Sequence, residues 1–147
     1  MTRMNADKAN LIHGELTDRI IGTFFDVYNT LGHGFLESVY ENALAIALSE
    51  AGLQVQSQVP ISVGFRGRSV GEFRADLLVG ESLIIEVKAQ AAILATHEAQ
   101  LLNYLKATGI PVGLLLNFGP RPQFKRRIFT ESLIRVDPRQ SVAKTDV

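Results

Sequence analysis

Apolar residues at Leu16, Ile20, Phe24, Val27 and Leu31 recur at spacings of four, four, three and four. Such a stripe predicts a helix over Glu15–Leu31, with Thr17 and Asp18 near its start, where capping or negative groups are favoured. Gly32-His33-Gly34 stops it. Leu36, Val39, Tyr40, Ala43, Leu44, Ala47 and Leu48 make a second helical stripe, from about Leu36 to Ala51, closed by Gly52. The period then changes to two. Val55, Ser57, Val59, Ile61 and Val63 fall on one strand face, and Gln54, Gln56 and Gln58 on the other. Pro60 fits only an edge strand or a bulge. Ser69–Val79 and Leu83–Lys88 follow as strands, separated by turns at Arg66-Gly67-Arg68 and Gly80-Glu81-Ser82, so the three form an antiparallel meander.

Thr96 is placed to cap a third helix reaching Thr108, with Gly109 at its end. The nearly unbroken apolar run Val112–Phe118 reads as a buried strand, parallel to its neighbour after a helical crossover. Phe124–Val136 is either a strand or a short helix. Residues 1–14 read as an N-terminal arm, 15–136 as one domain and 137–147 as a polar tail. The order implies an α/β fold, with a mixed central sheet flanked by helices.

Composition narrows the chemistry. The chain has 147 residues and is 46% hydrophobic, enough for one domain with a real core. It has no cysteine, which excludes disulfides, cysteine–zinc sites and iron–sulfur clusters. Its apolar runs are too short to span a bilayer, and Met1–Asn10 lacks an apolar signal segment, so a cytoplasmic protein is expected. Formal net charge is zero, so any contact with nucleic acid must come from local patches.

The most informative residues are acidic. Glu86 and Lys88 lie two apart on one strand and face the same way. Asp76 falls late in the preceding strand, where a short turn can bring it beside Glu86. Two carboxylates on adjacent strands make a hard oxygen site suited to Mg2+ or Mn2+, to which the main-chain carbonyl of Val87 could add a third oxygen. Lys88 would stand beside the ion, able to hold a phosphate or orient a water. Phosphodiester hydrolysis needs such a cation and a donor for the developing charge. The competing view makes Glu86 and Lys88 a surface pair. Leu83-Ile84-Ile85 and Val87 argue instead for a central strand, where charge is costly without a task.

Asp76 followed by Glu86-Val87-Lys88 resembles the core of the PD-(D/E)XK nucleases. Gly34-Phe35-Leu36-Glu37-Ser38-Val39-Tyr40 is similar to the motif that names the GxxExxY family, a predicted branch of that superfamily. The likeness continues through His97-Glu98-Ala99-Gln100-Leu101-Leu102-Asn103-Tyr104-Leu105 and Leu115-Leu116-Asn117-Phe118-Gly119, and covers about Glu15 to Phe129. Two departures are visible. Gly32-His33-Gly34 stands where the family often has Gly-Pro-Gly, and Tyr28 where it usually has histidine.

The resemblance implies a nuclease whose metal site Glu37 completes, directly or through water. Tyr40, three residues on, shares a helix face with Glu37 and is grouped with the substrate-positioning residues. Gln100 and Tyr104, four apart, resemble the Gln-x-x-x-Tyr pair of the exonuclease branch, which helps hold substrate; the equal alternative is that Tyr104 packs in the core with its hydroxyl at the rim. His97 reads as a first-turn residue of an exposed helix in preference to a general base. Glu41 reads as an ordinary exposed glutamate. Arg121, Lys125, Arg126 and Arg127, interleaved with Phe124 and Phe129, either hold a phosphate backbone or form a solvated face. Arg66, Arg68 and Arg74 add charge to the meander.

The expected activity is metal-dependent hydrolysis of nucleic acid, with DNA as the favoured partner. The alternative is a non-catalytic nucleic-acid or protein-binding module on the same fold. A small-molecule enzyme is disfavoured, because there is no glycine-rich phosphate loop preceded by a strand and no Gly-x-Ser-x-Gly elbow. The edge strand near Pro60 offers a surface through which two copies could pair as a homodimer.

Overall fold

A computed structural model describes residues 13–130. The two amphipathic stripes form α1 (Gly14–Leu31) and α2 (Glu37–Glu50). The meander is β1 (Val55–Phe65), β2 (Arg68–Val79) and β3 (Leu83–Lys88). α3 (Ala95–Thr108) then crosses to β4 (Val112–Phe118), and β5 (Pro122–Ile128) returns beside it. The five strands make one sheet in the order β1-β2-β3-β4-β5. Only β3 and β4 pair in parallel, as a helical crossover requires. Both are buried on both faces, which accounts for their continuous apolar sequence.

The sheet separates two cores. On one side, Ile20 and Phe24 of α1 and Tyr40, Leu44 and Leu48 of α2 pack on Leu77, Ile85, Leu116 and Phe118. On the other, Leu101, Tyr104 and Leu105 of α3 pack on Ile61, Ala75, Ile84 and Leu115. α3 lies close to the strands because Gly113 lets it: a Cβ there would meet Leu101 Cδ1 at 2.7 Å.

Several local expectations are corrected. The β1 alternation does not run unbroken, since Val55 packs into the first core and Val59 and Ile61 into the second. Two residues of equal parity can reach opposite faces only if the strand kinks between them. Gln58 is that kink, with a φ of 54°. The β1–β2 ladder passes from Ser57↔Leu77 to Val59↔Ala75 without pairing Gln58 and Asp76. Pro60 does lie on an edge strand.

Thr17 does not cap α1. It packs inward, and its hydroxyl has no hydrogen-bond partner among the described residues. Thr96 does not cap α3 either. Leu94 stands at that N-terminus, and its N–H donates to His97 Nδ1 at 3.0 Å. The segment left open as strand or helix is a strand as far as Ile128, and residues 131–136 lie outside the described residues. So do the tail and the arm, save for His13 and Gly14. No helix among the described residues is long and apolar enough to cross a membrane.

Candidate functional site

Opposite the Gln58 kink, β2 also parts from β3. Their ladder runs from Val79↔Leu83 to Leu77↔Ile85 and stops. The next residues outward are Asp76 and Glu86, whose side chains take over from the main chain. The N–H of Asp76 donates to Glu86 Oε2 at 2.9 Å, and the N–H of Val87 donates to Asp76 Oδ2 at 2.8 Å. The two carboxylates therefore satisfy amides that the splayed strands leave unpaired. Oε1 of Glu86 and Oδ1 of Asp76 lie outside these two bonds, Oδ1 with a long 3.5 Å contact from Gln58 Nε2, and are the oxygens that could face a cation.

Both groups resist carrying charge. Glu86 is only 4% exposed. Burial, followed by the negative charge of Asp76, pushes its carboxyl up to about 8. Burial also raises Asp76, against the opposing help of the Val87 amide and the Lys88 charge. Buried acids of this kind need a proton or a cation in place. Two hard oxygen donors fit a magnesium-type ion. Among the described residues, no three acidic or histidine side chains gather tightly enough to hold an ion by themselves. A donor set for such an ion would therefore draw on main-chain oxygen or water as well.

Lys88, half-buried at the end of β3, favours the charged form of both carboxylates. Glu37 is brought to the same place from the first turn of α2. Its Oε2 accepts from the N–H of Ala89 at 3.3 Å, and its charge reaches Asp76. Tyr104 is also close: burial raises its hydroxyl first, and the charges of Glu86 and Asp76 add to that. Its ring lies 5.7 Å from that of Phe73. Gln100 is exposed one helical turn earlier. His97 accepts the helix-capping bond already described, and burial and then Lys88 lower its pKa.

One expectation does not hold. Tyr40 is fully buried in the core beneath α1 and α2, stacked on Phe118 with ring centroids 4.3 Å apart. Its hydroxyl donates to Gly32 O at 2.6 Å and accepts from the Phe35 N–H at 3.1 Å, so it braces the α1–α2 loop and does not reach substrate. The basic run, left open between a phosphate-binding and a solvated face, divides between the two faces of the sheet, because a strand alternates its side chains. Lys125 and Arg127 lie opposite Leu115 and Gly113, on the α3 side, and Arg127 is ion-paired with Glu98. Arg126 lies opposite Leu114, on the other face, next to Phe124, which packs edge-on against Phe25. Arg121 is exposed in the turn before β5.

Three residues of the site escaped sequence reasoning. Glu41, one turn after Glu37, takes Gln58 Nε2 on both oxygens at 3.0 and 2.9 Å. Burial is the main cause of its raised pKa, and Asp76 and Glu37 both add to it. The four-residue spacing of Glu37 and Glu41 was the available signal. Gln58 itself also reaches Asp76 Oδ1 at 3.5 Å. Asn117, fully buried and opposite Lys88 in the sheet, exchanges two 2.9 Å bonds with the main chain of Gln90. Tyr28, at the position of the expected histidine, sets its hydroxyl 2.7 Å from Gly119 O and 2.9 Å from Pro120 O. It ties α1 to the turn after β4.

A mixed sheet between helices, opened at an aspartate and a glutamate on neighbouring strands with a lysine two residues beyond, defines the class of α/β domain built on the nuclease fold. The chain belongs to the PD-(D/E)XK nuclease superfamily, whose family model matches residues 14–128. The crystal structure of SSO0001 is similar at 21% identity and a TM-score of 0.53, over 66% of this chain and 52% of that one. The chain thus spans about half the length of that protein, and at this identity the likeness concerns the fold alone. An alkaline exonuclease (LHK-Exo) from Laribacter hongkongensis matches at 17% identity and a TM-score of 0.49, over 66% of this chain and 58% of that one. Hjc, a Holliday junction resolvase from Archaeoglobus fulgidus, matches at 23% identity and a TM-score of 0.39, over 60% and 72%. No curated protein matches the sequence.

Proposed function

We propose that the protein is a metal-dependent nuclease of the GxxExxY branch, hydrolysing phosphodiester bonds in nucleic acid, with DNA the favoured substrate. The observation that carries this reading is the nearly complete burial of Glu86 beside Asp76, with Lys88 at hand. A stability role alone would be better served by apolar side chains at these positions.

Asp76 and Glu86 would hold Mg2+ or Mn2+, helped by the Val87 carbonyl and, directly or through water, by Glu37. When bound, the ion neutralises the phosphate and makes water a better nucleophile at neutral pH. Lys88 donates to a phosphate oxygen as charge builds in the transition state. Tyr104 and Gln100 are the donors on α3 that orient the strand being cut. Exposed Arg121 and Lys125 supply backbone contacts, to which Arg126 and Arg127 contribute less, one lying on the far face and the other paired with Glu98.

The test is a cleavage assay on labelled single- and double-stranded DNA and RNA, with Mg2+, Mn2+ or chelator. Cutting that needs the ion supports the reading and identifies the substrate. A protein that binds nucleic acid equally with and without chelator, and never cuts, is a binding module instead.

A further inference from the structure

The kink at Gln58 is unusual in being occupied by glutamine. A φ of 54° suits glycine or asparagine and strains most other side chains. A long side chain adds rotamer entropy to be lost on ordering. Strain kept at one residue points to what its side chain does there.

Here the side chain spans two acids from different elements. Nε2 lies 3.0 and 2.9 Å from the two carboxylate oxygens of Glu41 on α2, and 3.5 Å from Oδ1 of Asp76 on β2. A primary amide carries two N–H donors on one nitrogen, so it can serve both partners. Without it, Glu41 and Asp76 would only repel each other. The kink is held from the other side as well, since Arg74 Nη1 donates to the Gln58 carbonyl at 3.1 Å. Asp76 is then fixed twice: Oδ2 by the Val87 amide, and Oδ1 by Gln58.

We infer that Gln58 is a positioning residue of the metal site, its amide tying Asp76 to Glu41 and so aiming the aspartate at the incoming divalent cation. The inference rests on the nuclease reading of Asp76 and Glu86. Gln58 touches neither the ion nor the substrate; it acts through Asp76.

Calorimetric titration with Mg2+ and with Mn2+ tests this on the wild type, Gln58→Gly and Gln58→Asn, alongside thermal melting. Both replacements accept a left-handed backbone. Glycine removes the amide, and asparagine shortens its reach by one methylene. The expected result is melting close to wild type with cation affinity at least about tenfold weaker in both, the size seen when residues that support metal ligands are removed. A merely structural kink would move melting and leave affinity alone. Variants that bind the ions as tightly as the wild type would overturn the role of Gln58 and leave the metal site standing. A wild-type protein that binds neither ion would overturn the metal site, and the role of Gln58 with it.

Discussion

Asp76 and Glu86 are joined through the main chain of the strands that carry them: the Asp76 amide donates to Glu86, and the amide beyond Glu86 donates back to Asp76. Ladder bonds cease at this pair, and side-chain oxygens replace them. One opening in the sheet therefore holds the two carboxylates side by side, each with its second oxygen outside these two bonds.

This arrangement makes stability depend on pH in a definite direction. In the ion-free protein Glu86 keeps its proton up to about 8, whereas an unhindered glutamate loses it near 4.5. Between these values the folded state holds more protons than the unfolded chain, so its stability falls as pH rises. The contribution is complete below the unfolded value and is lost through the folded one. Asp76, also raised, acts with the same sign. Urea unfolding in chelator at pH 5 and pH 8.5 should give the larger stability at pH 5. Glu86→Gln should shrink that difference, and Mg2+ should restore stability at pH 8.5 in the wild type only.

Asn117 holds the chain just past Lys88. Asn117→Ala would strand both the N–H and the carbonyl of Gln90, at a cost of about 3 kcal/mol in urea unfolding. Gly119→Ala should be damaging as well, because its Cβ would fall 2.1 Å from the Gln90 carbonyl oxygen. The loop has to move or the strand has to shift, for a loss of about 2 kcal/mol or more.

The two tyrosines should separate. Tyr40→Phe loses the hydroxyl that braces the α1–α2 loop and should cost about 1–2 kcal/mol of stability, with kcat unchanged. Tyr104→Phe should leave melting nearly unchanged and lower kcat about tenfold, since its hydroxyl lies in the field of Asp76 and Glu86. Steady-state kinetics beside thermal melting distinguish the two.

Much of this was legible in the chain. β3 and β4 run over the residues their apolar runs predict, because central parallel strands bury both faces. The two-residue spacing of Glu86 and Lys88 was enough to put them on one face. The kink was not legible: Val55, Ser57, Val59, Ile61 and Val63 alternate without a break in sequence, and only pairing with β2 shows where the face changes. Glu41 was missed because acids one helical turn apart are common on solvated helices. Tyr40 was misplaced because a three-residue step turns about 60° around a helix, enough to carry Glu37 to the site and Tyr40 into the core. The division of the basic run between two faces was not legible either, because Phe124–Val136 read equally as a strand or a short helix.

On the proposed function, this carboxylate pair and Lys88 together cleave phosphodiester bonds. The most direct measurement is the Mg2+-dependent cleavage rate of Lys88→Ala against wild type, with ion binding followed in the same samples. The rate of Lys88→Ala should be at least about a hundredfold lower with the ion still bound, as expected when one transition-state donor is removed. Equal rates in the two proteins would contradict it.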